Sequence, residues 1–246
     1  MNLSERYGLI RSWLMYYGKP FNRKKLIRFY SQFISAGDLV FDIGAHLGNR
    51  TDAFLALGAQ VIAVEPQPNC IQFLTKKFNT GDQLTVLPQL VSNDIQECDF
   101  YINTFSPTIS TARDVVWQNN INSYSFVKPR WDKKQKVNSI TLDYMIQIYG
   151  LPVFCKIDTE GYEFEVLSGL SHAIRYISIE YLAFDHERIL GCLDKIASLG
   201  EYLVNFSPGE SQKWLWQKWQ SSEEVKVILS KNKLDCRFGD FYFKLK

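Results

Sequence analysis

The stretch that decides the fold of this chain reads Leu39-Val40-Phe41-Asp42-Ile43-Gly44-Ala45-His46-Leu47-Gly48-Asn49-Arg50-Thr51, and it continues to Val61-Ile62-Ala63-Val64-Glu65-Pro66. An apolar run without alternation is typical of a parallel strand that is buried on both faces. Two glycines, a helix-like interval, a second apolar run and an acid follow in that order. This order predicts strand, turn, helix and strand, the first half of a doubly wound nucleotide-binding sheet.

The residues of this stretch have the properties of a nucleoside site. Gly44 and Gly48 let the backbone turn sharply and approach a ligand closely. Glu65 ends the second strand, where a carboxylate can accept both hydroxyls of a ribose, and Asp42 ends the first strand and is expected to face the same crevice. Asn49 or Thr51 is expected to cap the following helix. His46, a lone histidine in a glycine loop, is interpreted as a hydrogen-bonding loop residue rather than a base.

The spacing of the glycines discriminates among nucleotides. It is Gly-x-x-x-Gly, not Gly-x-Gly-x-x-Gly, and no Gly-Lys-Ser/Thr follows, so a pyrophosphate cradle is poorly supported. An acid at the end of the first strand repels a phosphate but suits a cationic amino-acid group. S-adenosylmethionine has an ammonium, a sulfonium and a ribose but no phosphate, so it is favoured over NAD. A nicotinamide-dependent oxidoreductase is the alternative.

A third predicted strand, over residues 84–87, precedes Gln89-Leu90-Val91-Ser92. In a parallel sheet this edge borders the cofactor crevice, where a polar residue can contact the adenine. The predicted cofactor-binding residues are Asp42, Gly44, Ala45, His46, Gly48, Asn49, Thr51, Glu65, Pro66, Gln89 and Ser92.

Length and composition limit the class of protein. A chain of 246 residues predicts one domain with additions. The formal charge of +2 implies no general polyanion partner, so no nucleic acid is expected. Five cysteines without a Cys-x-x-Cys pair favour free thiols in a reducing compartment. With no apolar run near the ~20 residues that cross a bilayer, and no signal-peptide core, a cytoplasmic protein is expected.

Two segments flank or interrupt the α/β pattern. Residues 1–36 are predicted as a helical extension with helices near 5–17 and 23–35, and residues 37–246 as the Rossmann-like domain. The second helix has a basic face, interpreted as solvated or, alternatively, as a surface for an anionic substrate or a membrane. Residues 103–136 lack clear periodicity and are predicted as a substrate-facing insertion.

A second motif follows the insertion, Val153-Phe154-Cys155-Lys156-Ile157-Asp158-Thr159-Glu160-Gly161-Tyr162-Glu163. It predicts a strand that ends near Asp158 and a helix that starts at Gly161. Side chains alternate along a strand, so Lys156 and Asp158 share a face. Because an unpaired buried lysine is costly, a pair between Lys156 and a carboxylate is predicted. The next predicted strand ends in Glu180, and Asp185-His186-Glu187 opens the helix after it.

Together these motifs resemble the FkbM family of S-adenosylmethionine-dependent methyltransferases. The resemblance rests on Phe41-Asp42-Ile43-Gly44-Ala45-His46-Leu47-Gly48-Asn49, Val64-Glu65-Pro66, Thr141-Leu142-Asp143 and Lys156-Ile157-Asp158-Thr159-Glu160-Gly161-Tyr162-Glu163, and it covers about 38–181. It implies a seven-stranded Rossmann-like methyltransferase that methylates a hydroxyl on a sugar, a glycan or a secondary metabolite. A catalytically silent methyltransferase-like binding module is the non-enzyme alternative.

Methyl transfer to a hydroxyl needs alignment of the acceptor and removal of its proton. We assign the base role to Asp158, with Glu160 positioning the acceptor or sharing a divalent ion. Because a carboxylate is a weak base for a sugar alcohol, His186 or a metal-bound hydroxyl is the alternative base. The candidate catalytic residues are Asp158, Glu160, Lys156, His186 and Glu180. The three histidines form no spaced ligand set, so no ligand motif supports a divalent metal, and the need for one is left open; any Mg²⁺ has to use Asp158, Glu160 or Glu180.

Overall fold

The structure is a computed structural model that describes residues 3–78, 81–114, 117–119, 121, 130–231 and 233–246. Its main sheet has eight strands in the order β3-β2-β1-β7-β8-β11-β9-β10, and a smaller sheet has the order β4-β6-β5. The strands are β1 (Leu39–Ile43), β2 (Gln60–Val64), β3 (Leu84–Leu87), β4 (Leu90–Val91), β5 (Glu97–Ile102), β6 (Lys133–Ile140), β7 (Phe154–Ile157), β8 (Tyr176–Leu182), β9 (Tyr202–Pro208), β10 (Gln220–Ser221) and β11 (Phe238–Leu245).

Helices cover both faces of the main sheet. They are α1 (Leu3–Tyr17), α2 (Asn22–Tyr30), α3 (Asn49–Ala56), α4 (Pro68–Lys77), α5 (Leu142–Tyr149), α6 (Glu163–Ser168), α7 (His186–Leu199) and α8 (Ser222–Ser230). Among the described residues, no helix is both long and apolar enough to span a bilayer.

The predicted doubly wound sheet is confirmed. Strand β1 is parallel to β2 and to β7, and β7 is parallel to β8. Strand β11 runs antiparallel between β8 and β9. The predicted number of seven strands was wrong by one, because the two-residue β10 adds to the free edge of β9 through Gln220 and Val204.

Two helices begin with different caps. The Thr141 side chain caps α5, since it accepts a 3.0 Å hydrogen bond from the Tyr144 N–H. The cap predicted for α3 was wrong, because Gly48 occupies the cap position in a left-handed conformation. Thr51 instead donates from Oγ1 to Asp42 Oδ2 at 2.6 Å, which joins the first turn of the helix to the end of β1.

Part of the predicted insertion is regular structure. Lys133 begins β6, which pairs antiparallel with β5, so the aperiodic segment ends before residue 133. Lys134 and Lys136 lie 2.8 and 3.0 Å from the Asp99 carboxylate on the neighbouring strand. This basic end is therefore a set of cross-strand ion pairs. Residues 115, 116, 120 and 122–129 of the insertion lie outside the described residues.

The N-terminal helices pack onto the sheet through an aromatic cluster. Leu26, Phe29 and Tyr30 of α2 are buried, and so is Phe33 just after it. The Phe33 ring lies 5.4 Å from the Phe154 ring on β7 and 5.6 Å from the Tyr242 ring on β11. Such aromatic contacts attach the extension to the centre of the sheet.

We expect Phe33→Ala to lower the free energy of unfolding by about 3–5 kcal/mol, because it leaves a cavity between α2 and the sheet. Urea unfolding followed by circular dichroism measures this change. Ile148→Ala is the matched control, since Ile148 is 52% exposed and should change stability little. Equal effects of the two substitutions would contradict this packing.

Candidate functional site

The carboxyl ends of β1, β2, β7 and β8 meet at a cleft of about 510 Å³. Loops after these strands line its floor. Tyr16 at the end of α1 lines one side, together with Lys19 and Phe21 of the connection to α2. Ligands of open parallel sheets bind at this edge. The cleft therefore lies where the sequence predicts the nucleoside.

The glycine loop is held between β2 and β7. Gly44 donates its N–H to the Val64 carbonyl at 2.9 Å and has a φ of 80°. A Cβ at Gly44 would lie 1.8 Å from the Asp158 carbonyl oxygen, so no larger residue fits there. His46 has a left-handed φ of 49°, and its N–H donates to Glu65 Oε2 at 2.8 Å.

The Glu65 carboxylate is buried and faces the cleft. Its second oxygen accepts the Gln67 N–H at 2.8 Å, so each oxygen already has one backbone donor and keeps a lone pair for a further one. Burial raises the pKa of Glu65 to about 7, and the hydrogen bonds from Gln67 and His46 oppose this shift. The Glu65 carboxylate therefore fits a hydroxyl-bearing ligand such as a ribose.

A small polar chamber of about 30 Å³ adjoins the cleft and shares Tyr16, Gly44, His46, Asp158 and Glu210 with it. Asp42 and Ala45, both predicted to bind the cofactor, line this chamber rather than the cleft. Its buried atoms that lack a hydrogen-bond partner among the described residues are Asp42 Oδ1, Asn49 Nδ2, Arg50 Nε, Arg50 Nη1 and both ring nitrogens of His46.

Unpartnered donors and acceptors that are this deeply buried are costly. Their presence around the chamber indicates a place for a small charged group. Arg50 was missed by the sequence prediction, although it lies inside the decisive stretch. Its Nη2 also donates to Glu210 Oε2 at 2.8 Å, a long-range contact with no local signal. Burial lowers the pKa of His46 to about 4, so this imidazole is neutral at pH 7.

Three carboxylates form an acidic cluster at the floor of the cleft. One oxygen atom each of Asp158, Glu160 and Glu180 lies within 4.8 Å of the others. Burial, followed by the neighbouring carboxylates, raises the pKa of Glu160 and of Glu180 well above the ordinary value. Among the described residues, these three are the group placed closely enough to hold a divalent cation.

The predicted pair of Lys156 with a carboxylate is confirmed. Lys156 Nζ donates to Asp158 Oδ2 at 2.6 Å, and Lys156 is 2% exposed. Burial disfavours its charged form, but the carboxylates of Asp158 and Asp42 outweigh burial and raise its pKa. Lys156 therefore remains an ammonium beneath the acidic cluster.

The turn that carries Glu160 is held by Glu163. Glu163 Oε1 accepts the Thr159 and Gly161 N–H groups at 2.9 and 3.2 Å. Glu160 itself has a left-handed φ of 53°, which is strained for a residue with a side chain. Thr111 of the insertion donates from Oγ1 to the Glu160 carbonyl at 2.8 Å.

The remaining predicted site residues separate into two groups. Pro66 and Gln89 line the cleft, as expected. Ser92 does not, and its hydroxyl instead contacts Tyr162 Oη at 3.1 Å. His186 begins α7 outside the cleft lining, and Gly48 supports the loop from behind, against Leu74 and Phe78.

We expect Gly44→Ala to destabilise the protein by several kcal/mol and to abolish ligand binding, because its Cβ overlaps the Asp158 carbonyl. Gly37→Ala is the control, since Gly37 has a similar φ of 86° but nothing lies within 4 Å of its added Cβ. It should cost only the backbone strain, about 1 kcal/mol. Urea unfolding of both variants checks the difference.

Stability should depend on pH through Glu65. Folded Glu65 keeps its proton up to about pH 7, whereas the unfolded chain releases it near 4.5, so stability falls as pH rises between these values. We expect a fall of up to about 3 kcal/mol from this residue. Urea unfolding of Glu65→Gln should show a smaller fall in the free energy of unfolding across this pH range. Identical slopes of this free energy against pH for the two proteins would refute the assignment.

The comparisons with known proteins agree with this geometry. The family model "Methyltransferase FkbM domain" matches residues 42–204, more than half of the chain. In sequence, 56 residues are 32% identical to a chloroplastic ribosomal RNA small subunit methyltransferase of Arabidopsis thaliana, over 23% of this chain and 16% of that protein. The chain therefore spans well under two thirds of that relative.

Two solved structures are similar to this chain at low sequence identity. The TehB-like SAM-dependent methyltransferase of Corynebacterium glutamicum has a TM-score of 0.52 at 12% identity, with 99% of this chain and 98% of that chain covered. An rRNA methylase of Streptococcus thermophilus has a TM-score of 0.42 at 9% identity, with 89% and 94% covered. The family match covers both the glycine loop and the acidic cluster. The chain belongs to the FkbM methyltransferase family.

Proposed function

We propose that the protein transfers a methyl group from S-adenosylmethionine to a hydroxyl oxygen of a sugar, a glycan or another small hydroxylated molecule. The observation that carries this proposal is the continuity of three features: the buried Glu65 carboxylate, the polar chamber and the acidic cluster border one cleft. A nicotinamide-dependent oxidoreductase, the alternative from the sequence, has no counterpart in the family match.

The residues present fit three parts of S-adenosylmethionine: its ribose, its adenine and its amino-acid end. Glu65 has free lone pairs for the ribose hydroxyls, and Gln89 and Val91 line the side of the cleft where an adenine would lie. The chamber has the charges for an amino-acid end, with Arg50 and Asn49 suited to its carboxylate and Asp42 to its ammonium. When bound, the donor supplies an activated methyl group.

The acidic cluster supplies the groups that handle the acceptor proton. If Asp158 took this proton, the buried Lys156 ammonium would lose its nearest counter-charge, which is costly. Burial and the neighbouring carboxylates raise the pKa of Glu160 and of Glu180, so each of these carboxylates is a stronger base than an ordinary glutamate. We therefore assign proton removal to Glu160 and Glu180, and the orientation of the hydroxyl to Asp158.

Glu160→Gln and Glu180→Gln should each lower methyl transfer about 100-fold or more while leaving S-adenosylmethionine affinity within a fewfold. The measurement is calorimetric titration of the donor, combined with transfer of a labelled methyl group to sugar and metabolite libraries followed by mass spectrometry. His186→Ala is the control, because His186 lies outside the cleft lining, and it should leave both quantities unchanged.

Two results would reverse parts of this assignment. Full activity of both glutamine variants, together with its loss in Asp158→Asn, would return the base role to Asp158. Saturable donor binding without transfer to any acceptor would identify a catalytically silent binding module.

A further inference from the structure

The first two helices present a surface of unusual composition. Between residues 3 and 28, every exposed residue except Gly18 has an apolar or a basic side chain. We call this set the α1–α2 surface. Its apolar members are Leu3, Tyr7, Ile10, Trp13, Leu14, Met15, Pro20 and Phe21, and its basic members are Arg6, Arg11, Lys19, Arg23, Lys24, Lys25 and Arg28.

The apolar residues of α1 form a continuous stripe. Leu3, Ile10 and Leu14 are 88%, 59% and 55% exposed, and with Tyr7 they fall within an arc of about 60° at 100° per residue. Arg6 and Arg11 lie on the two flanks of this arc. The opposite face of the helix carries the buried Gly8 and Ser12, so the stripe points away from the protein.

The surface extends beyond α1 and keeps its positive charge. The exposed Phe105 ring stacks on Tyr7 at 4.8 Å between centroids. Within the described part of the chain, Arg23 is the member of the surface that forms an ion pair, with Asp52 at 3.0 Å. Lys25 donates to a backbone carbonyl, that of Glu210, at 2.9 Å and not to a carboxylate.

We propose that the α1–α2 surface binds peripherally to the surface of an anionic lipid membrane. A helix with an exposed apolar stripe, an aromatic residue and flanking arginines lies in the interface plane, with its stripe among the acyl chains and its cations at the lipid head groups. The absence of exposed acids from the surface matches a negatively charged partner.

Charge and chemistry disfavour two other occupants. A second copy in a symmetric contact would place the same basic residues against one another. A nucleic acid would use the cations and the aromatic rings but would leave the aliphatic stripe of Leu3, Ile10 and Leu14 exposed.

The location of the surface relates it to the cleft. Met15, Lys19 and Phe21 belong to the α1–α2 surface and also line the cleft. Membrane binding therefore holds the mouth of the cleft at the lipid surface.

The test is co-sedimentation of the full chain with vesicles of equal parts phosphatidylcholine and phosphatidylglycerol, compared with pure phosphatidylcholine. We expect stronger binding to the anionic vesicles, weakened by salt. The double variants Ile10→Ser/Leu14→Ser and Arg6→Gln/Arg11→Gln should each lower the partition coefficient about tenfold or more.

Matched controls come from exposed residues elsewhere on the chain. Ile148→Ser/Val227→Ser and Lys231→Gln/Lys233→Gln remove the same chemistry from other faces and should bind vesicles like the unaltered protein. Circular dichroism and titration of S-adenosylmethionine verify that every variant is folded, so a loss of lipid binding is distinguishable from a failure of the proposed transferase.

Three outcomes would overturn the proposal. The first is equal binding to both kinds of vesicle or no effect of the surface variants. The second is a dimer in light scattering that Ile10→Ser/Leu14→Ser dissociates, which would assign the stripe to a second copy. The third is tight binding of an RNA oligonucleotide that depends on Arg6 and Arg11 but not on Ile10 and Leu14.

Discussion

The close approach of the Gly44 backbone to the Asp158 carbonyl is the constraint on which the rest of the site depends. It places the turn after β1 directly against the turn after β7, with no room for a side chain between them. Because strands β1 and β7 are also paired, the two motifs meet at one edge of the sheet. The glycine loop and the acidic cluster, which lie more than 100 residues apart in sequence, therefore border one cleft.

Burial of charge is the second feature that organises the site. Lys156 and Arg50 bring two cations beneath the cleft, and Asp42, Asp158 and Glu210 lie around them. Each ion is costly to bury alone and is stabilised by its neighbours. The balance still leaves Glu160 and Glu180 with raised pKa values, because the burial of several carboxylates together disfavours their charged forms. One arrangement of buried groups therefore compensates the charges of Lys156 and Arg50 and raises the proton affinity of Glu160 and Glu180.

The N-terminal helices have a double role. Their buried face contributes Phe29, Tyr30 and Phe33 to the aromatic cluster on the sheet, and their connection forms a side of the cleft. The same elements leave an apolar and basic face exposed. A basic face was predicted for α2 from its sequence, but the stripe on α1 became evident once the structure showed which side of that helix is covered.

Local chemistry allowed much of this protein to be predicted from its sequence. The unalternating runs around Phe41 and Ile62, the glycines between them and the Lys156–Asp158 spacing are local patterns, and strand geometry alone puts Lys156 and Asp158 on one face. The class of fold, the family and the edge of the sheet that holds the site follow from these patterns. The cap of α3 was mispredicted because Thr51 finds a tertiary partner in Asp42.

Only the tertiary structure decided which residues meet across the chain. Glu210 reaches Arg50, and His186 and Ser92 lie outside the cleft lining, although both of the latter follow strands. No local pattern encodes these outcomes, because side-chain partners across a sheet depend on the twist, register and packing of the whole fold. The sequence by itself determined the kind of site, and the packing of distant elements determined its members.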